Sequence, residues 1–231
     1  ARCIEAAANE AGYSVILCNS GWSLNQELRY LENLLARRVD GLICISLSMT
    51  SEHAEPMIKR HTPLVWLEQS RLDNQFDAVQ IDNFKGAYDA TVHLIGLGHR
   101  RIACITGLVQ AQLTVDRLAG YRQAMQDARL PIDETLLVPG DYTAKLGWSA
   151  AHRLMAQPNP PSAIFAYNDL MAIGALQALS ELKLSVPGDV ALVGFDGIAL
   201  TEHTSPPLTT VEQPVPEMSR QVISMLLDRI N

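Results

Sequence analysis

The chain has 231 residues, of which 48% are hydrophobic, 19% charged and only 6% aromatic, and its formal net charge is −7. This composition predicts a soluble globular protein of one large or two modest domains, and the acidic balance argues against a basic nucleic-acid-binding face on this chain. No apolar run approaches the roughly 18 residues that span a bilayer, and the first residues lack the long apolar centre of a signal peptide.

Four cysteines, Cys3, Cys18, Cys44 and Cys104, lie far apart and form no C-x-x-C pair. Three of them lie inside apolar, strand-like runs, where a free cysteine behaves as a small hydrophobic residue. We interpret all four as reduced thiols and predict a cytoplasmic location.

The first half of the chain alternates helical and strand-like patterns. The spacing of Ile4, Ala7, Ala8 and Ala11 predicts a helix that Gly12 ends. The predicted elements that follow are a strand over 15–18, a helix over 26–37, a strand over 41–45, a helix over 52–60, strands over 64–67 and 79–81, and a helix over 85–97.

The same alternation continues in the second half, with strands over 101–105, 136–138, 163–166 and 190–193 and helices over 116–128, 144–156 and 170–182. Strands that alternate with helices predict parallel sheets covered by helices on both faces. The predicted fold class is therefore α/β, with doubly wound parallel sheets.

Short polar or acidic residues follow seven of the eight predicted strands: Asn19, Ser46, Glu68, Asp82 with Asn83, Thr106, Asn168 with Asp169, and Asp196. Any one of them could be a turn residue or a helix cap, and for Asp196 the neighbouring Gly197 supports that alternative. A doubly wound sheet, however, collects such positions at one edge, where ligands bind. The set predicts a site for a small polar solute.

Seven blocks of sequence carry a family resemblance. They are RRVDGLI (37–43), IDN to LGHRRIA (81–103), TG (106–107), RLAGYRQAM (117–125), FAYNDLMAIGAL (165–176), VPGDVALVGFD (186–196) and PLTTVEQP (207–214). In order and spacing they resemble the effector-binding core of the LacI/GalR family of bacterial transcriptional regulators, which is similar to periplasmic sugar-binding proteins.

The resemblance implies two subdomains of periplasmic-binding-protein type I, joined by a hinge, with a cleft for a sugar-like effector between them. It divides the chain into residues 1–97 plus 214–231 and residues 98–213. Compared with the family, the chain lacks a helix-turn-helix headpiece, the first strand of the first subdomain and the final segment. Operator DNA is therefore expected to bind only through such a headpiece.

The resemblance also implies a set of ligand-binding residues: Arg117, Asp196, Asn168, Tyr142, Gln213, Phe84 and Asn19. A guanidinium can bind two adjacent hydroxyls or a carboxylate with its planar fork, and a carboxylate can accept from two vicinal hydroxyls. The aromatic ring of Tyr142 could stack on a pyranose or on a base.

Several of these residues have a structural alternative. Asn168 could cap the following helix, although Asp169 is the better candidate for the cap. Tyr142 could be a core tyrosine, Gln213 a linker residue that satisfies backbone groups, and Arg117 an exposed arginine near the start of a helix.

By the same resemblance the protein is a homodimer, with Leu28, Leu31, Leu35, Ile173, Leu176, Leu200 and His203 at the interface. The six histidines show no metal-ligand spacing, so we predict no metal site and no cofactor. Neither a Walker loop nor a G-x-S-x-G motif occurs, and we do not predict an enzyme.

Two alternatives remain open at this point. A periplasmic solute-binding protein of a transport system has the same fold, although the PLTTVEQP block favours a regulator. A regulator could also sense a purine instead of a sugar, because Tyr142 could stack on either.

Overall fold

The computed structural model describes residues 1–46, 49–68, 76–109 and 111–231, which form two compact units. One unit comprises Ala1–Ile81 with Pro214–Asn231, and the other comprises Asp82–Gln213. Every strand pair in both units is parallel, and helices separate most of the strands along the chain. The predicted α/β fold class with two parallel sheets is confirmed.

The elements follow one another in this order: α1 Arg2–Glu10, α2 Leu24–Ala36, β1 Leu42–Cys44, α3 Ser51–Lys59, β2 Leu64–Leu67, β3 Asp77–Val79, α4 Asn83–Gly96, β4 Ile102–Thr106, α5 Gln112–Asp127, β5 Leu137–Pro139, α6 Ala144–Met155, β6 Ala163–Ala166, α7 Asp169–Glu181, β7 Ala191–Asp196, β8 Thr209–Glu212 and α8 Val215–Ile230. Short 3-10 turns occur at Glu134–Leu136 and Ala199–His203. No helix of the described residues is both long and apolar enough to cross a membrane.

The first unit has a three-stranded sheet of order β1-β2-β3 with an apolar core on each face. Val65 and Leu67 of β2 pack with residues of α1 and α8, whereas Leu64 and Trp66 pack with residues of α2 and α3. Successive side chains of a strand point to opposite faces, so the continuous apolar run of β2 serves both cores.

The predicted strand over residues 15–18 does not form. Val15, Ile16 and Leu17 are 41%, 59% and 73% exposed, and no strand of the described residues pairs with them. Apolar content alone does not make a strand, because its backbone N–H and C=O groups need a neighbouring strand as partner.

The second unit has a five-stranded sheet of order β5-β4-β6-β7-β8. Adjacent residues of β7 show that helices cover both faces. A Cβ on Gly86 of α4 would lie 2.7 Å from the Phe195 ring, whereas a Cβ on Gly194 would lie 3.4 Å from Ala172 of α7. Because Gly194 and Phe195 face opposite sides, α4 and α7 cover opposite faces.

One domain boundary differs from the predicted division. Residues 82–97, which we assigned to the first subdomain, belong to the second unit. The reason is packing: α4 runs against α5, and the carbonyl of Phe84 occupies the space that a side chain at Gly120 would need. The other boundary, between residues 213 and 214, coincides with the predicted one.

Candidate functional site

The carboxyl ends of the parallel strands in the second unit lie at one edge of the sheet, where α/β folds bind ligands. Tyr142 follows β5, Asn168 follows β6, Asp196 ends β7 and Gln213 follows β8. Hydrogen bonds and an ion pair connect these residues to one another or to Arg117 of α5, as described below. Five of the seven predicted ligand residues therefore lie at this edge in two bonded groups: Arg117 with Asp196 and Gln213, and Asn168 with Tyr142.

Arg117 is 2% exposed and is held by protein groups around its guanidinium. Its Nε donates to Asn83 Oδ1 (2.8 Å), and one terminal nitrogen donates to the carbonyl of Tyr167. The guanidinium carbon lies 3.6 Å from the centre of the Phe195 ring, a cation–π contact. Arg117 is therefore a buried, oriented cation and not the exposed arginine of the structural alternative.

The other terminal nitrogen of Arg117 lies 3.8 Å from Asp196 Oδ1. Asp196 has a φ of 120°, which is rare for a residue other than glycine. Its Oδ1 also accepts from Gln213 Nε2 (2.8 Å), and its carbonyl accepts from the Gln213 N–H (3.1 Å). Gln213 thus satisfies a backbone group, as the structural alternative suggested, and its side chain also contacts a candidate ligand residue.

Tyr142 is partly buried and is fixed at its hydroxyl. The hydroxyl lies 2.5 Å from Thr114 Oγ1, and the ring edge occupies the space beside Gly107 that a side chain there would need. The φ of Tyr142 is 68°, a left-handed conformation that is uncommon for a residue other than glycine. Burial raises the pKa of the Tyr142 hydroxyl, which keeps the phenol neutral at physiological pH.

Asn168 is the N-cap of α7, a role that we assigned to Asp169 as the better candidate. Its Oδ1 accepts from the Met171 N–H (2.9 Å), while its Nδ2 donates to the carbonyl of Tyr142 (3.0 Å). Asn168 has the extended backbone of a cap residue, whereas Asp169 is the first helical residue. An amide carries two N–H donors, so Nδ2 can make a second hydrogen bond in addition to the one with Tyr142.

The other two predicted ligand residues have exposed side chains. Phe84, in the first turn of α4, is 40% exposed and its ring stacks on Tyr88 with centroids 6.3 Å apart. Asn19 belongs to the first unit, where its Oδ1 accepts from the Gly21 N–H (3.0 Å) in a local turn. Phe84 has no described hydrogen bond from its side chain to the residues around Arg117.

Three residues of this site lie outside the predicted ligand set. Asn83 accepts from Arg117, Phe195 lies against its guanidinium, and Asp169 is a fully buried carboxylate beside the Asp196 turn. The pattern of polar residues after strands already included Asn83 and Asp169. Nothing local in the sequence indicates the role of Phe195.

In the first unit, the edge after β1 contains a buried carboxylate. Glu27 is 7% exposed and accepts from Ser46 Oγ (2.6 Å) and Ser20 Oγ (3.1 Å). Burial and the nearby Glu27 raise the pKa of the Cys44 thiol to about 12, so this thiol remains protonated and unreactive. Ser46, one of the polar residues after strands, is thus bonded to a protein carboxylate.

The residues predicted for the dimer interface differ in exposure. Leu200 is 50% exposed, His203 is exposed, and Leu28, Leu31 and Ile173 are partly buried. Leu35 and Leu176 are only 6% and 9% exposed, and Leu35 belongs to the core of the first unit. These two leucines have little surface to offer a partner, because helix packing within their own units uses them.

The described residues contain no group of three or more His, Cys, Asp or Glu side chains that could hold a metal ion. The side chains of the candidate site are hydrogen-bonding groups: a guanidinium, a carboxylate, two amides and a phenol. Such a set can bind a neutral or weakly charged polar molecule by directional hydrogen bonds.

Comparison with known proteins agrees with this architecture. A family model described as a periplasmic binding protein-like domain matches residues 91–231. The HTH-type transcriptional repressor PurR of Escherichia coli O139:H28 is 37% identical over 233 residues, which cover 98% of this chain and 67% of that protein.

Two solved structures are also similar. The complex of the transcriptional regulator CelR with cellobiose has a TM-score of 0.90 and 35% identity, covering 99% of this chain and 70% of that one. A LacI family transcriptional regulator from Enterococcus faecium with bound ribose has a TM-score of 0.90 and 31% identity, covering 99% and 83%. The chain belongs to the LacI family of transcriptional regulators and comprises the periplasmic-binding-protein-like, effector-binding core of such a regulator.

Proposed function

We propose that the group around Arg117 and Asp196 binds a small polar effector, most simply a sugar or sugar derivative, and that this binding controls a cytoplasmic transcriptional repressor. The observation that carries the proposal is the separation of 3.8 Å between a terminal nitrogen of Arg117 and Asp196 Oδ1. A hydroxyl oxygen within hydrogen-bond distance of both can accept from the guanidinium and donate to the carboxylate.

The surroundings of this pair support a ligand that carries several hydroxyls. Asn168 and Gln213 add amide groups at the same edge of the sheet, and Tyr142 adds an aromatic ring. An aromatic face that packs on a sugar ring, with polar groups that bind its hydroxyls, is a common arrangement for a polar ligand. Phe84 and Asn19 remain proposed ligand contacts.

In the full regulator we propose that two copies form a homodimer and that operator DNA binds through a helix-turn-helix headpiece. The accessible interface candidates are Leu28, Leu31, Ile173, Leu200 and His203. An effector can shift such a regulator only by its different affinities for two conformations. The named relatives are transcriptional regulators, so we propose neither a transport protein nor an enzyme.

The test is a thermal-shift screen of the 231-residue chain with cellobiose, ribose, a sugar phosphate and hypoxanthine, followed by calorimetric titration of each compound that stabilises it. Asp196→Asn should weaken binding about tenfold or more, since one carboxylate oxygen becomes a donor. We choose Asn because it tolerates a positive φ better than Ala.

The matched control is Asp189→Asn, which alters an exposed carboxylate that is bonded to Ser185 instead of to the site. The Asp189→Asn variant should bind each compound with the same affinity as the unaltered chain. Equal binding by Asp196→Asn and the control would refute this site. If hypoxanthine is the only compound that stabilises the chain, the effector is a purine and not a sugar.

A further inference from the structure

Asp169 is a carboxylate with no exposed surface at the start of α7, directly after the cap residue Asn168. Its carboxylate accepts hydrogen bonds from separate segments of the chain. Its Oδ2 accepts from the Ile198 N–H (2.9 Å), and its Oδ1 accepts from Thr210 Oγ1 (2.5 Å). The carboxylate therefore joins α7, the turn after β7, and β8.

The residues that bond to Asp169 lie on both sides of Asp196 along β7 and the turn after it. Ile198 lies two residues after Asp196, and Thr210 is paired in register with Gly194, two residues before it. Between them, Asp196 has a φ of 120°, which is rare for a residue other than glycine. Such conformations persist only where surrounding contacts hold them in place.

The access of the carboxylate to this backbone depends on Gly194. A Cβ at position 194 would occupy the place of Asp169 Oδ1. Burial raises the pKa of Asp169, so the position is electrostatically unfavourable for a carboxylate. Helix capping does not explain an acid here, because Asn168 provides the cap.

We propose that Asp169, acting with Thr210, is a positioning residue of the effector site. It sets the place of the Asp196 carboxylate relative to Arg117, and so it determines affinity without touching the effector. This inference rests on the proposed function.

The first test uses hydrogen exchange and needs no ligand. Thr210→Val removes the hydroxyl that Asp169 binds, while Thr91→Val removes a buried hydroxyl that is bonded within α4 to the Ala87 carbonyl. Exchange at residues 196–198 should be faster in Thr210→Val and unchanged in Thr91→Val. Equal exchange in both variants would overturn the inference, whether or not any effector is found.

The second test is a titration with the compound from the screen that binds the unaltered chain most tightly. Thr210→Val and Asp169→Ala should each weaken binding about tenfold. Thr210→Ser keeps the hydroxyl and should bind like the unaltered chain. Combined with Asp196→Asn, either change should weaken binding less than about twofold further, because it acts through Asp196.

If Thr210→Val or Asp169→Ala lowers the affinity for the effector by the same factor with and without Asp196→Asn, the change does not act through Asp196. This result would show a general effect on folding and would overturn the inference. If Asp169→Ala does not fold, Thr210→Val carries the titration alone. If no compound of the panel binds the unaltered chain, the proposed effector class fails, whereas the exchange experiment still decides the positioning role.

Discussion

The central carbon of the Arg117 guanidinium lies 3.6 Å from the centre of the Phe195 ring. Arg117 belongs to α5, and Phe195 immediately precedes Asp196 in β7. One contact therefore connects the helix that supplies the cation to the strand that supplies the carboxylate.

Arg117→Lys should both weaken effector binding and destabilise the second unit. An ammonium group cannot donate to Asn83 and the Tyr167 carbonyl in the same geometry or stack as a plane on Phe195. We expect a loss of about 1–3 kcal/mol in the free energy of unfolding, measured by urea titration. Arg100→Lys, at an exposed arginine, is the control and should change little.

Gly174→Ala should strongly destabilise the second unit. A Cβ on Gly174 of α7 would occupy the place of the Ala144 carbonyl oxygen, so α6 and α7 would have to separate. We expect a loss above about 2 kcal/mol in chemical denaturation. Gly96→Ala meets no atom within 4 Å and should stabilise by about 0.5–1 kcal/mol. Similar values for both substitutions would contradict the close helix contact.

Stability should fall in acid partly through Asp133. Hydrogen bonds from Thr135 and Arg101 lower the pKa of Asp133 from 3.8 to about 2. For an acid with a lowered pKa, the stabilisation is present above pH 3.8 and is lost as the pH falls towards 2. Asp133→Asn should therefore lower the melting temperature at pH 7 and have much less effect near pH 2. If the difference in melting temperature between Asp133→Asn and the unaltered chain is the same at both pH values, ionisation of Asp133 is not the cause of the stabilisation.

The proposed dimer can be tested at Leu200. Leu200→Asp places a charge on a side chain that is 50% exposed, so folding should be preserved while association is weakened. Sedimentation analysis should show more monomer than for the unaltered chain, with an unchanged circular dichroism spectrum. Leu97→Asp, at a leucine that is 62% exposed near the end of α4, is the control and should sediment like the unaltered chain.

The sequence by itself determined the fold class and the position of most elements. Buried parallel strands are short apolar runs bounded by turns, and β2 and β6 lie at the residues predicted for them. The polar residues after strands indicated one edge of the sheet in the second unit, because parallel strands bring their carboxyl ends to one edge.

Only the tertiary structure decided the hydrogen-bond partners of each polar side chain. Arg117 meets Asn83 across 34 positions of sequence and Asp169 meets Thr210 across 41, and no local pattern encodes such pairs. Asn168 and Asp169 are neighbours with similar side chains, yet one caps a helix and the other holds a turn. The apolar residues 15–17 likewise form no strand, because a strand exists only through hydrogen bonds to a neighbour that sequence periodicity does not specify.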